Sequence, residues 1–151
     1  MARVARRTGR VDRVATVAEA DPFAALDRRA SGVDRGFLLE SLLEEEETVG
    51  LLRREGGDAT GYALVLRRSP GATVGPLVAE GPDAAETLLR VAAGRTDDPL
   101  TVNAVGNPRT EARHRQFGFE HRQSLTRMTH RERVEPLMGE RVRGIPAFEY
   151  G

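Results

Sequence analysis

The spacing of apolar residues changes from helical to strand-like in the middle of this chain, and this change restricts the fold. Residues 48–54 and 62–67 read as strands, and the Glu-Gly-Gly-Asp sequence at 55–58 predicts a turn that joins them into a hairpin. Residues 73–79 predict a third strand, irregular at Pro76 because proline cannot donate to the ladder. Three neighbouring strands require a sheet whose apolar faces are covered by other elements.

Helical signals lie on both sides of these strands. Asp21 and Pro22 suit the start of a helix, and Phe23, Leu26 and Ala30 would share its inner face. The pattern further predicts helices at 34–46, 82–93 and 108–116, and strands at 100–105 and 118–129. This order indicates an α/β fold, here an α+β mixed sheet that is twisted, mostly antiparallel and flanked by helices on both faces.

Length and composition limit the classes of protein that fit. The chain has 151 residues, which predicts a single domain at 21–151 preceded by a basic arm or edge strand at 1–20. It contains no cysteine and no lysine, so disulfides, thiolate metal sites and lysine Schiff-base chemistry are excluded. With only three histidines available, we predict no metal site.

The charge pattern and hydropathy also restrict the partners and the location. The formal net charge is zero and no aromatic residues accompany the N-terminal arginines, so we expect no nucleic-acid partner. No apolar stretch approaches the roughly 20 residues that span a bilayer, and no apolar segment follows the basic N-terminus. We therefore expect a cytoplasmic protein without membrane contact.

Residues 107–119 read Asn-Pro-Arg-Thr-Glu-Ala-Arg-His-Arg-Gln-Phe-Gly-Phe and form the most distinctive motif of the chain. Asn107 can cap a helix, and Pro108 suits its first turn. Gly118 ends that helix, and Phe119 returns the chain to the core. The motif follows a predicted strand and resembles that of GNAT acetyltransferases, in which Gly-Phe stands eleven and twelve residues after the asparagine, as it does here.

The resemblance to the GNAT superfamily implies a binding site for acetyl-coenzyme A as co-substrate. In GNAT enzymes the fourth strand splays from the fifth, and its free backbone groups hold the pantetheine arm, while the following turn binds the pyrophosphate. The corresponding residues here are Leu77, Val78, Ala79, Gly81, Ala84, Ala85 and Asn107. Ala85 matches the small residue of the family's turn, whereas Glu80 and Asp83 bring negative charge to it.

A narrower resemblance is to the C-terminal GNAT-like domain of tandem-domain bacterial and archaeal acetyltransferases. It depends on a combination of short motifs, namely Leu26-Asp27-Arg28, Asp34-Arg35, Gly61-Tyr62, the Val-Gly-Pro-Leu-Val-Ala sequence at 74–79, Gly118-Phe119 and Thr126-Arg127-Met128. In such proteins a more standard GNAT domain usually precedes this one. Here that domain is either absent or outside this sequence, which bears on whether the chain is catalytic by itself.

The family's reaction is direct acetyl transfer to an amine, which requires a base for the amine and an acid for the leaving thiolate. His114 stands where the family has its tyrosine acid, and an imidazole can donate a proton. The alternative is a surface histidine between two arginines. Glu80 and Glu46 are the candidate bases, with a solvated helix end as the alternative for Glu46.

Three further residues are candidates for acceptor binding. Glu45 belongs to an acidic run that could attract a cationic amine, and Arg127 could bind a carboxylate. Tyr62 is the third, although Gly-Tyr at a strand start also serves packing. An ion pair is the alternative for Arg127.

We therefore expect an acetyl-coenzyme A-dependent N-acetyltransferase for a small amine or amino-acid-like acceptor. The alternative is a non-catalytic GNAT-like module that binds a ligand or a partner domain. A nucleic-acid-binding protein, suggested by the arginine-rich N-terminus alone, is the third reading. The tail at 145–150 could be an edge strand or a partner-binding arm, and it could pair two copies into a homodimer.

Overall fold

The computed structural model describes residues 13–68, 70–104, 108–124 and 141–145 of the chain. The described elements are β1 (Arg13–Thr16), α1 (Asp21–Ser31), α2 (Gly36–Glu44), β2 (Val49–Glu55), β3 (Asp58–Arg68), β4 (Gly71–Ala79), α3 (Pro82–Ala93), β5 (Leu100–Ala104), α4 (Pro108–Gln116) and β6 (Val142–Ile145). None of the described helices has the length and apolarity that crossing a membrane requires.

The strands form one six-stranded sheet in the order β1-β2-β3-β4-β5-β6, with a further pairing between β4 and β6. The strands β1 to β4 are antiparallel neighbours, and β5 pairs parallel to β4. The predicted mixed and mostly antiparallel sheet is confirmed. The basic N-terminal segment contributes β1, which pairs with β2 at the edge of the sheet.

Two apolar clusters lie on opposite faces of the sheet, because successive strand residues point to opposite sides. On β3, Tyr62, Leu64 and Leu66 join the cluster under α1 and α2, whereas Ala63 and Val65 join the cluster under α3. The predicted helices on both faces are therefore present, and the sheet is buried between them.

Local signals explain where the helices begin and end. Asp21 and Pro22 occupy the first turn of α1, and Gly32 ends that helix in the left-handed conformation that glycine favours. Gly81 precedes α3, and Pro82 takes its first position. The helices predicted at 82–93 and 108–116 have the predicted bounds, because proline marks the start of each.

Other predicted elements are shifted or absent. The helix predicted at 34–46 is the shorter α2, and its acidic end continues as a turn. The irregularity predicted at Pro76 is confirmed as a register shift of β4 against β3, opposite the stretch between Ala63 and Val65. Residues 119–124, predicted as strand, form no regular element.

Candidate functional site

The strands β4 and β5 pair over only three residues and then separate. The pairs are Ala72 with Leu100, Thr73 with Thr101 and Val74 with Val102. Beyond these pairs β6 lies between the two strands and is antiparallel to both. The resemblance implied such a separation, and the C-terminal half of β4 is therefore the first place to look for a ligand site.

The backbone of β4 in this half is already paired. Leu77 and Val78 stand opposite Gly144 and Val142 of β6, and the Ala79 N–H donates to the Arg141 carbonyl at 2.9 Å. All three candidate residues of β4, namely Leu77, Val78 and Ala79, are buried. The edge that would hold a pantetheine arm is thus occupied by the chain itself.

The turn from β4 to α3 carries exposed acids. The Glu80 side chain faces solvent, while its N–H donates to the Thr60 carbonyl at 3.0 Å. The Asp83 side chain is 96% exposed and lies 4.0 Å from Arg113 of α4. The space where a Cβ would stand at Gly81 is open, so a ligand could approach the backbone there.

The remaining candidates of this turn differ in exposure. Ala84 is buried against the sheet, whereas Ala85 is half-buried and its N–H donates to the Gly81 carbonyl at 3.2 Å. Pro82 has no amide to offer. With β6 in place, the residues present do not fit the coenzyme as the resemblance implied, because the β4 edge is paired and the phosphate turn is acidic.

His114 lies on α4 and faces β5. Its imidazole is half-buried, and burial lowers its pKa. It contacts the edge of the Phe119 ring, with ring centroids 5.9 Å apart. Together with residues 99–104 of the strand region and 118–124, it lines a cavity of about 640 Å³. The imidazole is therefore partly desolvated and borders a space that could take a small ligand.

The acidic candidates lie at opposite ends of the sheet. The Glu45 carboxylate pairs with Arg68 at 2.9 Å, where β3 ends, and exposed Glu46 follows it. Glu80 lies beyond the other end of β4, on the order of 25 Å away at about 3.3 Å per residue. The structure brings α4 with His114 beside the Glu80–Asp83 turn, through the Arg113 contact, and leaves Glu45 and Glu46 apart from it.

Tyr62 is fully buried, and its hydroxyl donates to the Asp27 carboxylate at 2.7 Å. Arg35 donates to both oxygens of the same carboxylate, at 2.6 and 2.8 Å. Burial first and the Asp27 charge second raise the pKa of Tyr62 well above its usual value. This environment favours the packing alternative for Tyr62, since its side chain presents no surface to a ligand.

Sequence reasoning missed two features of this region. Asp27 lies four residues after Phe23 on the apolar face of α1, and a carboxylate at such a position signals a buried partner. The tail at 145–150 was interpreted as an edge strand or a partner-binding arm, and its one described residue, Ile145, ends β6, which pairs with both β4 and β5. Two candidates, Asn107 and Arg127, lie outside the described residues.

A sheet whose fourth and fifth strands pair briefly and then diverge, flanked by helices on both faces, defines an acetyltransferase-type fold. A family model described as acetyltransferase (GNAT) domain matches residues 23–142, which is most of the chain. The chain belongs to this family. No curated protein matches its sequence.

Solved structures with the same fold are distant in sequence. A GNAT-family acetyltransferase from Streptococcus pneumoniae TIGR4 superposes with a TM-score of 0.62 at 15% identity, over 82% of this chain and 100% of that one. The aminoglycoside N-acetyltransferase AAC(6')-Iy in complex with CoA gives 0.61 at 12%, over 85% and 99%. A ribosomal-protein-alanine N-acetyltransferase from Brucella melitensis biovar Abortus 2308 gives 0.57 at 18%, over 80% and 99%. At these identities the likeness establishes the fold.

Proposed function

We propose that this protein is an N-acetyltransferase that uses acetyl-coenzyme A and accepts a small amine or amino-acid-like compound. The observation that carries the proposal is the divergence of β4 from β5 after Val74 and Val102 in a chain of the GNAT family. Acetyl-coenzyme A supplies the activated acetyl group. Structural neighbours support this choice of donor, because AAC(6')-Iy was solved with CoA.

His114 is the residue that we propose for proton transfer. Its imidazole borders the cavity beside β5, and its lowered pKa leaves it mostly neutral near pH 7. As an acid for the leaving thiolate it would act from the minor, protonated form, so that role weakens as the pH rises. As a base it would act from the major form, and the pH dependence would have the opposite sign.

Glu80 is the carboxylate that we propose as the base for the acceptor amine, because it lies at the same end of the sheet as His114. It is exposed beside the turn that α4 approaches. Glu46 and Glu45 lie at the far end, where Arg68 neutralises Glu45. Their proposed contribution is attraction of a cationic acceptor, which falls mainly to Glu46 because its side chain is exposed and forms no ion pair within the described residues.

Release of coenzyme A thiol from acetyl-coenzyme A, measured against a panel of small amines, tests the proposal. Because the chain contains no cysteine, a thiol reagent reports the released coenzyme without a protein background. Amine-dependent release that is lost in His114→Phe supports the enzyme. No release, combined with no calorimetric binding of millimolar acetyl-coenzyme A, would refute it.

A non-catalytic binding module is the second candidate function. The exposed carboxylates of Glu80 and Asp83 at the start of α3 favour it, because they disfavour a diphosphate there. A folded protein that turns over no amine of the full panel and also fails to bind coenzyme A would select this candidate over the enzyme.

A further inference from the structure

The strand β6 fills the space that opens between β4 and β5. On one side Gly144 and Val142 stand opposite Leu77 and Val78, and on the other Gly144 and Ile145 stand opposite Ala104 and Asn103. The chain thus pairs both strand edges that face the gap. A pantetheine arm extended along β4 would need the same backbone groups, among them the Ala79 N–H that donates to Arg141. The two arrangements exclude each other.

The pairing of β6 has the properties of a weakly held element. The strand has four residues, and its register against β4 shifts between Leu77 and Val78. The Arg143 Nε is buried and has no hydrogen-bond partner in the described part of the chain, which penalises the seated position. Against this, Val142 and Ile145 are 3% and 7% exposed and join the apolar cluster under α1 and α2. Short strands with few pairs open at lower free energy than the rest of a fold.

We propose that β6 is a blocking strand, which must leave the edge of β4 before the acyl donor binds there. This inference rests on the proposed function for its ligand. A protein whose binding-competent state is a minor population has an apparent affinity reduced by that population. Because only the form with β6 released is competent, acetyl-coenzyme A binds the protein with a weak apparent affinity, and any change that loosens β6 tightens the binding.

A disulfide between β4 and β6 provides the sharpest test. A Cβ at position 144 would lie 3.3 Å from the Leu77 Cβ, close to the roughly 3.5–4.5 Å of disulfides. The chain has no other cysteine, so Leu77→Cys with Gly144→Cys forms one defined bond. We expect calorimetric binding of acetyl-coenzyme A to disappear on oxidation and to return on reduction with a phosphine. Arg54→Cys with Ala59→Cys joins β2 to β3 and is the control, with binding unchanged by oxidation.

A loosened variant tests the same idea in the opposite direction. Val142→Ala removes two methyl groups from β6, and we expect it to tighten acetyl-coenzyme A binding about tenfold by raising the competent population. Val65→Ala is the matched control, because Val65 has the same 3% exposure but lies on β3. Affinity for Val142→Ala that is equal to or weaker than that of the wild type would overturn the inference, as would undiminished binding by the oxidised disulfide variant.

Amide hydrogen exchange separates this inference from the proposed function, since it needs no ligand. We expect the Ala79 amide to exchange by local opening and to slow at least about tenfold when the disulfide forms. An exchange rate that oxidation leaves unchanged would contradict the release of β6. If wild type, reduced variant and Val142→Ala all fail to bind millimolar acetyl-coenzyme A, the proposed function fails, and the exchange rate alone then decides whether β6 leaves β4.

Discussion

Polar groups have different environments in two regions of this sheet, one around Asp27 and one around the end of β4. Between α1, α2 and β3, the buried Asp27 carboxylate accepts hydrogen bonds from Arg35 and Tyr62, and its side chain is 0% exposed. Around the end of β4, by contrast, Asp83 is exposed and His114 is half-buried without a polar partner in the described part of the chain. The first region satisfies its charges internally, as a structural region does. The second leaves an exposed carboxylate and a half-buried imidazole accessible to a ligand.

This difference indicates that the region around Asp27 stabilises the fold, whereas the region around His114 is suited to chemistry. A buried carboxylate with satisfied hydrogen bonds fixes the positions of the elements that contribute to it, and its loss leaves other buried groups without a partner. A half-buried imidazole beside a cavity contributes little to folding and is free to exchange protons. Substitutions in the two regions should therefore change different measurements.

The largest expected effect is the loss of stability in Asp27→Asn. Removing the charge leaves the Arg35 guanidinium uncompensated in a half-buried position, and we expect a loss of about 3–5 kcal/mol in urea unfolding. The control is Asp34→Asn, because Asp34 also pairs with an arginine at 2.9 Å but its side chain is 67% exposed. That variant should lose no more than about 1 kcal/mol. Equal losses of unfolding free energy in the two variants would mean that the buried Asp27 pair stabilises the fold no more than an exposed ion pair does.

The second prediction concerns turnover in His114→Gln. Proton transfer by a positioned side chain contributes about 100-fold or more, and we expect kcat to fall by at least that factor while the unfolding midpoint changes little. Gln116→Ala is the control, since Gln116 lies on the same helix, is exposed and does not line the cavity. Equal losses of kcat in the two variants would contradict a specific role for His114.

The pH dependence of folding checks the environment of His114 independently of turnover. Burial lowers the pKa of the folded imidazole, so the unfolded chain binds the proton more readily, and stability falls as the pH drops below about 6.5. This part of the acid dependence should be absent in His114→Gln. An unchanged acid limb would mean that His114 is solvated in the folded protein.

Most of the fold could be predicted from the sequence, because local signals specify it. Proline and glycine mark the ends of α3 and α4. Short apolar runs mark β2 and β3 as buried strands, and both kinds of signal have a short-range physical cause. The position of β6 between β4 and β5 has no such local signal, because it depends on pairing across more than sixty residues of chain. Only Ile145 of β6 falls within the tail segment 145–150 that was interpreted as an edge strand or a partner-binding arm.

The candidate site was less predictable for the same reason. The resemblance correctly pointed to the divergence of β4 and β5, and it placed His114 on α4. The distance between Glu46 and Glu80 could not be predicted from their separation in the sequence. It depends on the end of the β3–β4 hairpin at which each residue lies. The partner of Tyr62 was missed because Asp27 is 35 residues away in the sequence.

The third prediction tests the structural region with Tyr62→Phe. This variant loses one hydrogen bond to a carboxylate, and we expect it to be destabilised by about 1.5–3 kcal/mol at neutral pH. Burial raises the folded pKa of Tyr62, so the unfolded state loses its proton first, and wild-type stability falls as the pH rises above about 10. The chain has no lysine or cysteine to titrate in this range, so the alkaline slope reports tyrosine.

That alkaline slope should be absent in Tyr62→Phe and should persist in Tyr150→Phe, the variant of the chain's only other tyrosine. Urea unfolding at several pH values between 8 and 11.5 measures both slopes. A slope that persists in Tyr62→Phe would show that another group responds to alkali, and it would contradict the buried hydrogen bond to Asp27.

The smallest expected effect is on donor affinity in Asp83→Asn, which removes a negative charge from the start of α3. Charges at a helix N-terminus change binding and stability by about 0.3–1 kcal/mol, so acetyl-coenzyme A should bind about two- to fivefold more tightly, and more so at low salt. The same change costs α3 a favourable contact with its dipole, so the protein should be slightly less stable. Glu86→Gln on the same helix is the control, because Glu86 already pairs with Arg90 at 3.0 Å.

Tighter binding with lower stability in Asp83→Asn alone would place a phosphate group at the open end of the sheet. Unchanged affinity in both variants would mean that the donor's phosphates do not approach α3. The region around the end of β4 would then differ from the region around Asp27 in the exposure of its charges, but it would not bind the coenzyme there. A gain of equal size in Glu86→Gln would point to a general electrostatic effect. This variant separates the two regions most clearly, because the Asp83 carboxylate stabilises α3 but repels the phosphates of the ligand.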